Sequence, residues 1–225
     1  MSIKSIDINS INSKFLKEKK YLKIFPEYYD LAKVSENGLW HDNQNVLDHV
    51  IGVFKGLEVV LMFKGLNAHD ENILRKYLSE IVGKRTRKEL LIVSTLLHDI
   101  AKTDTLIRLP DGTAGCPGHE LIAAGRVKNF SDRFGFNKKD EEYVERIVRY
   151  HGLISDFLSL IIAKGSKEKY LKMFRGTVED VAIELVLFMR SDLHGSDLDK
   201  NDMKAFDDRV AILSWMLKKL ISLHN

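Results

Sequence analysis

Leu90-Leu91-Ile92-Val93-Ser94-Thr95-Leu96-Leu97-His98-Asp99-Ile100-Ala101-Lys102 is the stretch on which the fold of this chain turns. Its first half is apolar on every side, as a helix is when it lies inside a core. The second half carries charge. At about 100° per residue, Ser94, Thr95, His98, Asp99 and Lys102 fall along one seam of an otherwise apolar cylinder. A buried Asp without a partner is strongly disfavoured or takes up a proton, and the usual remedies are a paired cation or a bound metal. Adjacent His and Asp side chains offer nitrogen and oxygen donors to a hard or borderline divalent ion. A His-Asp dipeptide alone is common, so its partners elsewhere in the chain decide its meaning.

The rest of the chain predicts an all-α, single-domain helical bundle over residues 1–225. With 44% hydrophobic and 30% charged residues it is long enough for one large core. It has three prolines, no long β-type alternation and no internal repeat. The N-terminal Met1-Ser2-Ile3-Lys4-Ser5-Ile6-Asp7 has no continuous apolar run, and no stretch reaches the roughly 18 apolar residues of a membrane span, so a cytoplasmic protein without membrane contact is expected. The only cysteine, Cys116, agrees with a reducing compartment. Flanked by Gly115 and Pro117 in a turn, it has no evident base beside it to make it a nucleophile.

A net charge of +3 is too mild to announce a nucleic-acid binder. Basic residues nevertheless cluster at Lys14, Lys17, Lys19, Lys20 and Lys23 and at Lys84, Arg85, Arg87 and Lys88. They read as solvated faces or as surfaces that attract an anionic substrate or RNA.

Helices are expected over 12–24, stopped by Pro26, and over 44–64, after a loop Ser35-Glu36-Asn37-Gly38 and the run Leu39-Trp40-His41-Asp42. Further helices are expected over 70–83, 87–102, 120–134 and 139–151, as two short helices within 153–175 split at Lys164-Gly165-Ser166, and over 178–192 and 202–223. Pro110-Asp111-Gly112 predicts a small hairpin flap near 105–115. His49 lies beside the apolar stripe of the second helix, with Gly52 and Gly56 one and two turns on, so that another element can approach it. His119 falls in or just before the first turn of its helix, His151 extends the Val144–Ile147–Val148 face before Gly152 ends that helix, and Asp192 continues the face of Val181, Leu185, Phe188 and Met189. An acid near a helix C-terminus and facing a core is disfavoured by the dipole and by burial, and a nearby cation resolves both.

Taken singly, His49 reads first as a hydrogen-bonded core histidine. Together, His49, His98, Asp99, His119, His151 and Asp192 fit converging metal ligands better than independent accidents. His49, His98, Asp99 and Asp192 would hold a first divalent ion, and His119 and His151 a candidate second one, with Asp99 bridging. Between two such ions water becomes a nucleophile suited to attack on phosphorus. Lys102 either neutralises a phosphate oxygen or complements a helix dipole, and Arg108 on the flap is a further substrate-binding candidate.

The ordered set His49, His98-Asp99 and Asp192, with Leu97-His98-Asp99-Ile100-Ala101-Lys102, resembles the HD superfamily of metal-dependent phosphohydrolases over roughly residues 43 to 197. Gly118-His119-Glu120 and Val148-Arg149-Tyr150-His151 look like the extra histidines of two-metal subfamilies. The segment from Asp111-Gly112 to Glu120 is similar to HD domains attached to bacterial tRNA nucleotidyltransferases, although the transferase half is not found here. Nor is the Gly-Tyr-Pro signature of the cyclic-di-GMP branch. The resemblance implies a hydrolase of a phosphomonoester or phosphodiester, of nucleotide type, with Asp99 and Lys102 in the chemistry and one or two ions of Mn, Fe, Co, Ni, Zn or Mg. A non-catalytic nucleotide-binding regulatory module and an HD-type nuclease acting on RNA or DNA are the alternatives.

Trp40 and His41 either line a substrate pocket or sit in a solvent-facing loop, His194 competes as a ligand, and His69 and His224 read as exposed. Asp197-Leu198-Asp199-Lys200-Asn201 mimics the start of a calcium loop, but Asp202 stands where the turn needs glycine, so an acid-rich helix N-terminus is the preferred reading.

Overall fold

The computed structural model describes residues 6–37 and 40–224. Gly38 and Leu39 of the expected loop, and Met1 to Ser5 of the N-terminal segment, lie outside the described residues. The fold is all-α, with two small antiparallel sheets. Its longer helices are α1 (Val46–Val60), α2 (Ala68–Ser79), α3 (Arg87–Leu97), α4 (His119–Arg126), α5 (Lys138–Tyr150), α6 (Leu153–Lys164), α7 (Lys167–Val178), α8 (Ala182–Gly195) and α9 (Met203–Ile221). Strands β1 (Ser35–Asn37) and β2 (Asp42–Asn45) pair just before α1, and β3 (Ile107–Arg108) and β4 (Ala114–Gly115) form the expected flap. No helix among the described residues is long and apolar enough to cross a membrane.

Two local devices place the helices that carry the candidate ligands. The first is a knot at Asp140, which is fully buried. Its carboxylate closes a capping box with Asn137 at the start of α5 and also accepts the backbone N–H groups of Gly83, Lys84 and Arg85, the loop that leads into α3. Four backbone donors satisfy one buried charge, so α3 and α5 start from a common point. They pack side by side and end together, with His98 and His151 as their C-cap residues.

The second device is a contact of small residues between α1 and α8. A Cβ on Gly52 would lie 3.0 Å from Gly195 Cα, and one on Gly56 would lie 2.6 Å from the Ser191 carbonyl oxygen. The two helix backbones therefore touch, as Gly52 and Gly56 suggested. Gly56→Ala should force the helices apart and cost about 1–3 kcal/mol, the usual penalty of overpacking, measured by urea denaturation. A variant as stable as the parent would mean that the helices part without cost.

Several sequence expectations are corrected. The first helix is only Ser13–Lys17, because Lys19 takes a positive φ of 57°, and Pro26 does not stop a helix but opens a second one, Pro26–Asp30, at the position where its missing N–H costs nothing. The helix expected over 87–102 ends at Leu97; residues 98–101 form turns, and a separate short helix covers Lys102–Thr105. The Ser94 and Thr95 hydroxyls donate back to the carbonyls of Leu90 and Leu91, so they leave the polar seam. The helix expected over 120–134 breaks after Arg126 into a 3-10 turn and a short helix. Gly152 is right-handed, with φ −75°, and links α5 directly to α6 instead of acting as a left-handed stop. Its lack of a side chain serves packing, since a Cβ there would sit 2.7 Å from Glu120 Oε1. The other helices match within a few residues at each end.

Candidate metal centre

His49 on α1, His98 and Asp99 just beyond α3, His119 opening α4, His151 at the end of α5 and Asp192 on α8 line one cavity of about 140 Å³. Each histidine is fixed by the same kind of bond. Nδ1 lies 3.2 Å from the Gly195 carbonyl in His49, 2.9 Å from Thr95 in His98, 2.7 Å from Cys116 in His119 and 2.6 Å from Val148 in His151. A carbonyl oxygen only accepts, so all four Nδ1 atoms carry a proton, and in the neutral ring that leaves the lone pair on Nε2. In His98 and His151 the acceptor is the carbonyl three residues back, which the helix end would otherwise leave unpaired. His49 reaches its acceptor through the glycine contact, because that acceptor belongs to Gly195 itself.

The four Nε2 atoms surround Asp99. One carboxylate oxygen, Oδ2, is 3.2 Å from His98 and 3.7 Å from His49; the other, Oδ1, is 3.1 Å from His119 and 3.9 Å from His151. Asp192 Oδ1 lies 3.2 Å from His49. The donor atoms fall into two groups of three, His49–His98–Asp192 and Asp99–His119–His151, with members of each within 4.8 Å of one another. Asp99 stands between them with one oxygen turned to each side.

The protein alone leaves these atoms poorly satisfied. Both His98 Nε2 and Asp99 Oδ2 are buried and make no hydrogen bond, although Oδ2 has the Lys102 ammonium 3.1 Å away as an ion pair. His119 Nε2 and His151 Nε2 are 3.2 Å apart, which two lone pairs do not tolerate unless a proton or a cation lies between them. Electrostatics show the same stress. Burial disfavours the charge on Asp99, but His98, Lys102 and His119 outweigh it and hold the carboxyl well below its usual range. Asp192, also opposed by burial, is pulled down to about 2 by His49. Burial works against protonation of His49 and His119, yet Asp192 and Asp99 hold both above the ordinary histidine value. Burial, with His98 and His119 beside it, pushes His151 down to about 3. Nitrogen and carboxylate donors in this ratio suit borderline ions such as Mn, Fe, Co, Ni or Zn better than Mg, which prefers oxygen. The orphaned buried atoms and the donor chemistry both fit a divalent cation.

Lys102 is buried in the wall of the cavity, its ammonium 3.1 Å from Asp99 and also paired with Glu36 of β1. Those two carboxylates overcome its burial and hold it protonated. Glu36 had no signal in the sequence, because the pair spans 66 residues. The flap is tied to the same strand: Asn37 donates to the Gly112 carbonyl and accepts from Ala114 N–H. Arg108 is exposed on β3 and does not line the cavity. His41 does line it, its ring 4.5 Å from that of His49, and burial and the neighbouring His49 push it down to about 4. Trp40, Glu120, Gly152, Ser155 and Met189 complete the wall. His194 points elsewhere, against Phe206. Cys116 is buried, and its thiol is pushed up to about 12, chiefly by burial. Asp202 caps α9 and Asp197 binds the Asp42 N–H and Lys200, so the acid-rich segment works as helix N-termini.

No family model matches the chain. It is similar to parts of bifunctional uridylyltransferase/uridylyl-removing enzymes. Identity is 36% over 77 residues with the enzyme of Novosphingobium aromaticivorans, covering 34% of this chain and 7% of that protein. With the enzyme of Bordetella pertussis it is 27% over 143 residues, or 62% of this chain and 15% of that protein. With that of Ruegeria pomeroyi it is 35% over 79 residues, or 35% and 7%. The matched segments thus amount to 7–15% of the length of these relatives.

Proposed function

We propose that this chain is a metal-dependent phosphohydrolase of the HD type that cleaves a phosphomonoester or phosphodiester of a nucleotide. One observation carries the reading: four imidazoles, each with Nδ1 committed to a backbone carbonyl, turn Nε2 into one buried cluster with Asp99 and Asp192. Ordinary core histidines have no reason to share a tautomer and a target. Backbone partners of this kind orient ligands and raise their basicity. His49, His98 and Asp192 would hold one divalent ion and Asp99, His119 and His151 another, and the second oxygen of Asp99 faces the first group. A divalent ion bound there supplies Lewis acidity and lowers the pKa of water towards neutrality.

The chain's own groups do the rest. Lys102 donates one N–H to Glu36 and is ion-paired with Asp99, and it would offer a further N–H to a phosphate oxygen at the wall of the cavity. Glu36 and Asp99 hold that cation in place before substrate arrives, which avoids reorganisation during reaction. The similarity to uridylyl-removing enzymes supports a hydrolase and makes a uridylyl ester the first substrate to try.

The test is elemental analysis of the purified protein together with turnover of a panel of phosphate esters. The expected result is one to two transition-metal ions per chain, about one fewer in His119→Ala, and hydrolysis that stops with chelation and returns on reloading. A protein that took up no metal after loading with Mn and Ni would refute the proposal and favour a regulatory binding module.

A further inference from the structure

The cavity at the metal centre, about 140 Å³, is under half the smallest volume of an ordinary ligand pocket. A phosphate group fits a cavity of that size, and a whole nucleotide does not. Whatever the phosphate is attached to must lie at the rim, and the large aromatic side chain there is Trp40. This residue is built into place at three points. Its carbonyl accepts the Asp197 N–H at 2.9 Å, and the Asp197 carboxylate accepts the Asp42 N–H at 3.2 Å, so the backbone on both sides of His41 is pinned to the N-terminus of a helix. The Arg209 guanidinium lies 5.4 Å from the indole centroid, in cation–π contact with the ring. Arg209 is itself anchored to the Ala205 carbonyl one turn back on α9. Trp40 is half-buried, packs against the hydrophobic core and lines the same cavity as the six candidate ligands. A rigid indole, packed against a cation and set at the edge of a phosphate-sized hole, has the form of a stacking platform.

We infer that Trp40 is a specificity-determining residue that stacks on the base of a nucleotide substrate whose phosphate occupies the metal centre. This rests on the phosphohydrolase reading. Stacking on an indole selects for a planar π-face and tolerates any base, because every base has one. Recognition by Trp40 therefore separates nucleotides from sugar phosphates without separating uracil from adenine. Arg209 keeps the indole from turning and leaves metal binding untouched. Asp197, whose spacing mimicked a calcium loop, serves to hold this segment.

The chain has two tryptophans, so Trp215→Phe leaves Trp40 as the only indole reporter. Metal-loaded Trp215→Phe protein is titrated with UMP, AMP and ribose 5-phosphate. Both nucleotides are expected to quench the emission at similar concentrations, and ribose 5-phosphate is expected to leave it unchanged. Turnover is then compared in Trp40→Leu and Trp40→Phe. The leucine variant should keep its metal and lose at least about ten-fold in kcat/KM for nucleotide esters, mostly through KM, with ribose 5-phosphate hydrolysis unaltered; phenylalanine should restore most of the loss. Equal losses for nucleotide and sugar phosphate, or loss of metal in Trp40→Leu, would show a merely structural tryptophan and overturn the inference. A parent that hydrolyses no ester yet shows base-dependent quenching would refute the phosphohydrolase reading and leave the stacking site standing.

Discussion

His98→Ala combined with Asp99→Ala is expected to remove bound metal and hydrolysis together while keeping most of the helix content. Asp99 is the one residue whose two oxygens face both donor groups, at 3.2 Å from His98 and 3.1 Å from His119. Its loss removes the carboxylate that stands between the two groups, and the loss of His98 removes an Nε2 that makes no hydrogen bond in the protein. Loss of a single hydrogen-bonding partner behind a ligand typically costs about 10–100-fold in metal affinity or activity. Removing two ligands should exceed that range, and turnover should fall to the uncatalysed background. Structure is expected to survive because both residues lie beyond the last turn of α3, whose capping box is at the far end. Circular dichroism, metal content and ester hydrolysis on the same sample decide the matter. Parental turnover in the double variant would mean that the reaction occurs elsewhere.

Arg87→Met should bring the largest loss of stability. Glu184 is fully buried within α8, where it accepts from Tyr143 Oη at 2.5 Å and Tyr77 Oη at 2.9 Å and pairs with Arg87 at 3.4 Å. Even with these partners its pKa is raised, because burial outweighs the pull of Tyr143 and Arg87. Without the guanidinium the carboxylate is a buried charge with two neutral donors. Breaking a buried pair from one side typically costs about 3–5 kcal/mol. The pH dependence has a definite sign. A carboxyl whose folded pKa lies above its unfolded value binds more protons in the native state, so its contribution is present below the unfolded pKa and is lost as pH rises through the folded one. Arg87→Met raises the folded pKa further. The deficit against the parent should therefore be largest at pH above the raised folded pKa of Glu184 and shrink as acidification protonates it. Urea denaturation of both proteins in chelator, at each pH, measures this. A small deficit, or one that does not change with pH, would show that the tyrosines alone satisfy Glu184.

That network also marks where sequence reading ran out. Helix α8 reads as nearly all apolar, and Glu184 is the one acid that interrupts its first two turns. The interruption was a signal, but its partners Tyr77, Arg87 and Tyr143 sit on three other helices, and no local period connects them. Arg87 belonged by sequence to a basic cluster with Lys84, Arg85 and Lys88. In the fold Arg87 turns to Glu184 and Arg85 binds the Phe134 carbonyl, so the cluster presents no common face.

By itself the sequence determined the helical architecture, because apolar spacing, caps and glycines act over a few residues and were readable one helix at a time. It also named the six donor groups, since imidazole and carboxylate on apolar faces carry a desolvation cost that demands an explanation wherever the faces meet. Only the tertiary structure decided how they meet. It split the donors into two sets of three with Asp99 between them, ended α3 at Leu97 so that His98 and Asp99 both turn inward, and brought Glu36 to Lys102 and Trp40 to the cavity wall. These outcomes depend on distances between helices, which are fixed by the Asp140 knot and the Gly52–Gly56–Gly195 contact. Both devices join residues more than 50 positions apart, beyond the reach of any local pattern.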